Sequence, residues 1–310
     1  MFLDISSYIQ NETAMWVLIG VLALVLLICV IKCTADGIVK CLFNLAYFAL
    51  FIVMIAFLGP LVASWLKPIG FWENLLSINA SLESALSFID ADLAYFICAI
   101  LIILVAFMII VFILNRVFRK VKNIKNKQSR FVGFIYGFFI FFILSAAFLE
   151  LFTSPFLVKG GKQLVDKASY LKLYHNHVTE PVFEIFDKEG VPFSVDGAFV
   201  AGYSGAKDNK KVYLEAFKQY ETYMLNSNEY VKTLKDGSNY NEEKVNNAAL
   251  NYCRVVDVAT CSTSFGYAKL KDTLKNSAND WYAKIPKELL SGETKTQLEQ
   301  AFNRLGVSLE

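Results

Sequence analysis

An all-α membrane protein is the fold class this sequence predicts: four transmembrane helices followed by a mainly helical extracytoplasmic domain. Three observations predict it. The chain is 310 residues long and 55% apolar, above the roughly 45–50% usual for soluble domains. The excess is concentrated, because residues 1–151 carry only 10 Lys and Arg and 8 Asp and Glu, whereas residues 152–310 carry 20 of each sign. Seven positive charges without a single acid then fall between two of the apolar runs. Two parts with different solvents follow, with a boundary near residue 155: a transmembrane domain over 1–155 and a polar domain over 156–310.

The first span is 14–31, uncharged over 18 residues, about 27 Å of helix against a hydrocarbon core of about 30 Å. Residues 1–13 hold Asp4 and Glu12 and no basic residue, unlike a secretory signal peptide, so this reads as an uncleaved helix. The second span is 41–58, which Gly59 and Pro60 interrupt at its far end. Trp65 and Trp72 stand where an interfacial aromatic belt is expected. Over 71–89, Phe71, Trp72, Leu75, Leu76, Leu82, Leu86 and Ile89 recur at helical spacing. That pattern predicts an amphipathic helix, lying on the bilayer or packed against the polar domain. The third and fourth spans are 93–114 and 131–151, each long enough to cross with modest tilt.

Arg116, Arg119, Lys120, Lys122, Lys125, Lys127 and Arg130 make the loop between the last two spans strongly basic, which places it in the cytoplasm by the positive-inside rule. Its charges can also meet anionic lipid headgroups. The loop over 66–92 sets Lys67 against Glu73, Glu83, Asp90 and Asp92 and belongs outside. Both termini and the polar domain are then extracytoplasmic, in a multi-pass protein of the cell membrane.

In the polar half, apolar residues at helical spacing predict helices over 212–225, 245–258, 263–284 and 286–305, the last with Pro286 in its first turn. Residues 187–206, with Gly190, Pro192, Gly197, Gly202 and Gly205, read as a loop or short strands. The 20 acidic and 20 basic residues of this half cancel, which argues against a nucleic-acid partner. The lipid bilayer is the expected partner, with a second copy or other envelope proteins beside it.

Chemistry is sparse. His175 and His177 on an extended segment, with Glu180 or Asp187, could hold a metal, but two histidines are a thin ligand set and surface histidines are the plainer reading. No metal, cofactor or catalytic residue is expected, since no GxSxG, HExxH, Walker or GxGxxG pattern occurs. The middles of the spans contain no ionisable residue, which disfavours a coupled transporter. Gly133 and Gly137 form a small-xxx-small pair at the cytoplasmic end of the fourth span, suited to packing within the bundle or between copies. Asn11-Glu12-Thr13 and Asn79-Ala80-Ser81 are glycosylation sequons on the expected outer side. Cys253 and Cys261 are the cysteines of the polar half, and an oxidising exterior would let them pair. Pairing requires a helix break between them, because eight residues of straight helix would separate them by about 12 Å. Two reduced thiols are the alternative.

Asp36-Gly37-Ile38-Val39-Lys40 before the second span, Asn115-Arg116, and Arg130-Phe131-Val132-Gly133-Phe134-Ile135-Tyr136-Gly137 opening the fourth give residues 1–155 an arrangement that resembles the colicin V production protein family. The resemblance departs at the acidic Asp36, where a basic residue is common, and in the long C-terminal domain. It implies an envelope location and an association with toxin production and secretion, and it brings no catalytic residues. The expectation is a non-enzymatic membrane accessory or scaffold protein. A receptor or sensor binding a ligand through the C-terminal domain, and an oligomeric channel, are the alternatives.

Overall fold

The computed structural model describes residues 3–76, 91–118, 127–188, 194–263 and 265–308. The chain is mostly helical and divides into two compact units, one of Trp16–Ser145 and one that joins Leu3–Met15 to Ala146–Glu310. Among the described residues, three helices are long and apolar enough to cross a membrane: Glu12–Ile55, Ala94–Val117 and Lys127–Thr153.

The first of these belongs to a helical run α1 (Glu12–Leu66), which contains both of the first two expected spans. Its backbone is broken at Gly37, where φ 74° and ψ 162° are not helical. Only a residue without a Cβ adopts this conformation cheaply. Pro60 does not end the run as expected, and the helix continues to Leu66. A short helix α2 (Phe71–Leu76) follows, then α3 (Ala91–Val117) and α4 (Lys127–Thr153). Trp72 is buried with Ala63, Ala94, Tyr95, Cys98 and Ala99, so it serves the packing of the bundle and not an interfacial belt, whereas Trp65 is exposed. The remainder of the amphipathic segment, 77–89, lies outside the described residues, as do Arg119, Lys120, Lys122 and Lys125 of the basic loop.

Gly133 and Gly137 of α4 face the backbone of α1. A Cβ on Gly133 would lie 2.3 Å from the Cys33 carbonyl oxygen, and one on Gly137 would lie 2.8 Å from the Val30 Cα. The small-xxx-small pair therefore admits a neighbouring helix of the same bundle.

The second unit begins with a parallel pairing of β1 (Leu3–Asp4) and β2 (Val158–Lys159). Ile5 N–H donates to the Lys159 carbonyl at 3.0 Å, and Lys159 Nζ meets Asp4 at 3.2 Å. Helix α5 (Gly161–Lys167) ends at the extended Ala168, after which α6 (Ser169–Tyr174), a π-helical turn over His175–Thr179 and α7 (Glu180–Lys188) form one continuous helical path. The π-turn falls just before Pro181, which has no N–H to return to the His177 carbonyl, so a normal turn would lose a hydrogen bond there.

Next come α8 (Val195–Ala201), α9 (Lys210–Leu225), α10 (Ser227–Thr233), a hairpin of β3 (Lys235–Asp236) and β4 (Asn239–Tyr240), α11 (Glu242–Thr260), α12 (Phe265–Ala283) and α13 (Gly292–Leu305). Asn226, Asn241 and Ser291 cap α10, α11 and α13, each accepting a backbone N–H with its side chain. Helices α9, α11, α12 and α13 enclose the core. Every apolar position expected on α11, from Val245 through Ala248, Ala249 and Tyr252 to Val255 and Val256, is buried. Trp281 stacks on Tyr252 with ring centroids 4.1 Å apart.

Three expectations for this unit need correction. Residues 195–201 are helical and not loop or strand, because the Ser194 side chain accepts the Gly197 N–H at 2.8 Å and starts a helix amid the glycines. Pro286 opens a 3₁₀ turn, and the last helix starts at Gly292 behind the Ser291 cap. Cys253 and Cys261 are both free thiols, one buried and one exposed. Helix α11 runs unbroken to Thr260, so the break a disulfide requires is missing and eight residues of straight helix hold the two sulfurs apart.

Candidate ligand pocket

A cavity of about 280 Å³ opens in the second unit where the end of α4 meets α7, α8 and α9. Helix α4 supplies Glu150 and Thr153, with Ser154 just beyond it. Helix α7 supplies Glu180, Glu184 and Asp187, α8 supplies Asp196, and α9 supplies Lys211, Glu215, Lys218 and Glu221. Lys162 and His175 complete the polar lining. Seven carboxylates thus face three lysines, and one of those, Lys218, is tied to Glu184 at 2.9 Å.

The wall is built deliberately on one side. Asp187 is buried and accepts the Ser194 backbone N–H at 3.2 Å and the Ser194 hydroxyl as well. Ser194 in turn caps α8 through Gly197. A Cβ on Gly197 would sit 2.3 Å from Asp187 Oδ1, so the approach of α8 to this carboxylate requires glycine. The Glu150 carboxylate accepts the backbone N–H of Val195, which fixes the start of α8 against the end of α4.

Two polar atoms that line the cavity have no protein partner. His175 Nδ1 and Ser154 Oγ are unpaired, although the residues are only 4% and 5% exposed. Leaving such an atom unpaired costs about 1–3 kcal/mol, so both are open to a ligand or to water. Burial and the neighbouring Lys162 hold the His175 imidazole below its usual pKa, against weaker opposition from Glu180 and Asp166. The histidine is neutral at neutral pH.

The carboxylates go the other way. Burial, with Glu221, Glu150 and Asp187 close by, pushes Asp196 well above the usual carboxylate range, and Lys218 offsets this only partly. Burial raises Glu221 to about 7, with Glu180 adding to the shift while Lys162 and Lys218 oppose it. An acid whose pKa is higher in the folded state holds its proton longer there, so it lowers stability as pH rises from its unfolded value to its folded one. For Glu221 that window runs from 4.5 to about 7. The melting temperature of the chain is expected to fall across this window. Glu221→Gln is expected to flatten the fall and to melt above the parent at pH 8, as read by thermal unfolding in detergent at a series of pH values.

The sequence singled out three residues that the structure brings here, His175, Glu180 and Asp187, but for a different reason. His175 is buried on the π-turn while His177 is exposed, so the two imidazoles do not share a face and His175 is not a surface histidine. Among the described residues no group of three or more His, Cys, Asp or Glu side chains is placed to hold a metal ion. Glu150, Asp196 and Glu221 were not legible as a set, since they lie on three helices with no local spacing to connect them.

The chain matches no protein-family model, no curated protein and no solved structure.

Proposed function

We propose that this chain is a non-enzymatic integral protein of the cell membrane whose C-terminal unit lies outside the cytoplasm and binds an organic cation, an ammonium or guanidinium group. The observation that carries this reading is the pocket: a mostly acidic cavity with a buried neutral imidazole and a hydroxyl unpaired at its wall. A bound cation would lower the energy of several carboxylates that now repel one another, and it would keep Asp196 and Glu221 ionised at neutral pH. Of the two main expectations, the pocket favours a ligand-binding protein over a bare scaffold. The accessory role in export implied by the colicin V resemblance stays compatible in one form, in which the cation is a Lys or Arg side chain of an exported peptide.

Four crossings are part of the proposal. Support comes from β1 and β2, which pair residues 3–4 with 158–159, an arrangement that fits entry and exit on one face of the bilayer and an even number of crossings. As one straight rod the 55-residue α1 would measure about 80 Å, far beyond a core of about 30 Å, and Gly37 supplies a break between two crossings. The basic loop over 116–130 orients the whole, with Lys235 outside and Lys125 inside. An impermeant thiol reagent on intact cells is expected to label Lys235→Cys and to leave Lys125→Cys unlabelled. The reverse pattern would invert the topology.

The ligand is tested on the full chain in detergent by thermal shift and calorimetry. Putrescine and arginine amide probe free cations, a Lys/Arg-rich peptide probes the side-chain source, and glutarate and acetylated putrescine are controls. Binding of at least one cationic probe, absent for both controls and weakened tenfold or more by Glu221→Gln, is expected. Equal response to glutarate, or none to any cation, overturns the ligand class.

A further inference from the structure

The apolar surface of the second unit is concentrated on one helix. Beyond residue 155, the described large apolar side chains that are exposed are Tyr170, Leu173, Val178, Val182, Ile185 and Val212. All but Val212 belong to the single helical path 169–188 that passes through the π-turn. Soluble surfaces scatter such residues singly. Here they are gathered.

The π-turn is what gathers them. Tyr170 and Leu173 are spaced as neighbours on a helix face, and so are Val178, Val182 and Ile185, but the step from Leu173 to Val178 is five residues. In an unbroken α-helix a fifth residue overshoots the face by roughly 100° more than a fourth does. A π-turn absorbs one additional residue, and the two stripes come into line. The opposite face shows the same registry: Leu171, His175, Thr179, Phe183 and Asp187 are all buried. One helix thus turns a buried face inward, from which His175, Phe183 and Asp187 line the pocket, and a continuous apolar stripe outward.

We infer that this stripe lies in the headgroup and acyl boundary of the bilayer, so that the 169–188 helix is an interfacial helix that seats the C-terminal unit on the membrane. The occupant follows from continuity. The same unit begins with the last turns of α4, where Phe148 and Leu151 are exposed on a helix apolar enough to span, and the stripe follows only 16 residues after Thr153. The exposed Lys172 and His177 flank the stripe, and Tyr170 has the amphipathic ring found at such depths. Burial of a helix face about 5–10 Å into the interface is the ordinary seat of a helix with this pattern. This inference is independent of what the pocket binds.

The full chain, reconstituted in phosphatidylethanolamine and phosphatidylglycerol vesicles, decides the matter with two carbene photoreagents, one dissolved in the lipid and one in the water. Peptide mapping is expected to find the lipid-phase label on Leu173, Val178, Val182 and Ile185 at a level within about twofold of Leu151 and several-fold above Val212. The double variant Val182→Lys with Ile185→Lys is expected to lose that label on the remaining stripe residues while its melting temperature in detergent stays within a few degrees of the parent. Labelling of the stripe by the aqueous reagent overturns the inference. So does labelling by neither reagent, which would mean that protein covers the face.

Discussion

Trp281→Ala is expected to cost about 3–5 kcal/mol of stability, the range for removing a large aromatic side chain from a packed core. Trp281 is 1% exposed, and its indole stacks on Tyr252 at 4.1 Å and nearly parallel, 20° between planes. Tyr252 is held from a second side by Phe302 at 5.7 Å and from a third by Tyr220 at 5.7 Å, so little can move inward to fill the space. Four helices, α9, α11, α12 and α13, meet at this stack, and their loosening should be seen at the pocket as well, since Tyr220 lies one residue before Glu221 on α9. Denaturant titration of the full chain in detergent measures the loss, and Trp65→Ala is the control, because that indole is 63% exposed in the other unit. If the two substitutions cost the same, the stack is not the centre of the core.

Much of this fold was legible in the sequence, and the reasons differ from element to element. Three helices long and apolar enough to cross a membrane declared themselves through long runs with little charge, and the helices α9, α11 and α12 through apolar residues that recur every three or four positions. The Ser194 cap was missed because one hydroxyl outweighs the glycines around it once Asp187 orients it. Pairing between residues 3–4 and 158–159 joins segments separated by all the spans, and no local pattern reports a contact at that range. The pocket was hidden for a related reason. Its carboxylates look like ordinary surface charges along α7 and α9, and only the docking of α8 and the end of α4 gathers them around one cavity, where burial raises Asp196 and Glu221. The π-turn left a trace that could have been read: the five-residue step from Leu173 to Val178 just ahead of Pro181.

Gly133→Leu is expected to destabilise the membrane unit by about 3 kcal/mol, the upper part of the range for overpacking. The reason is that no flexible side chain is available to yield. The added Cβ meets the carbonyl oxygen of Cys33 at 2.3 Å and lies 3.3 Å from the Cα of Gly37, so both obstacles are backbone, and one of them is the residue whose positive φ breaks α1. Moving α4 outward would also pull Gly137 away from Val30, where the spacing is again set by the absence of a Cβ. Gly20→Leu supplies the comparison, since a Cβ at Gly20 has open space within 4 Å, and it is expected to change stability little. Thermal unfolding of each variant in detergent, repeated over a tenfold range of protein-to-detergent ratio, separates packing inside one chain from packing between copies. A deficit for Gly133→Leu that is independent of the ratio is the expected result. A deficit that appears only at high protein would assign the glycine pair to a contact between two chains, and equal stability of the Gly133 and Gly20 variants would remove it from the packing altogether.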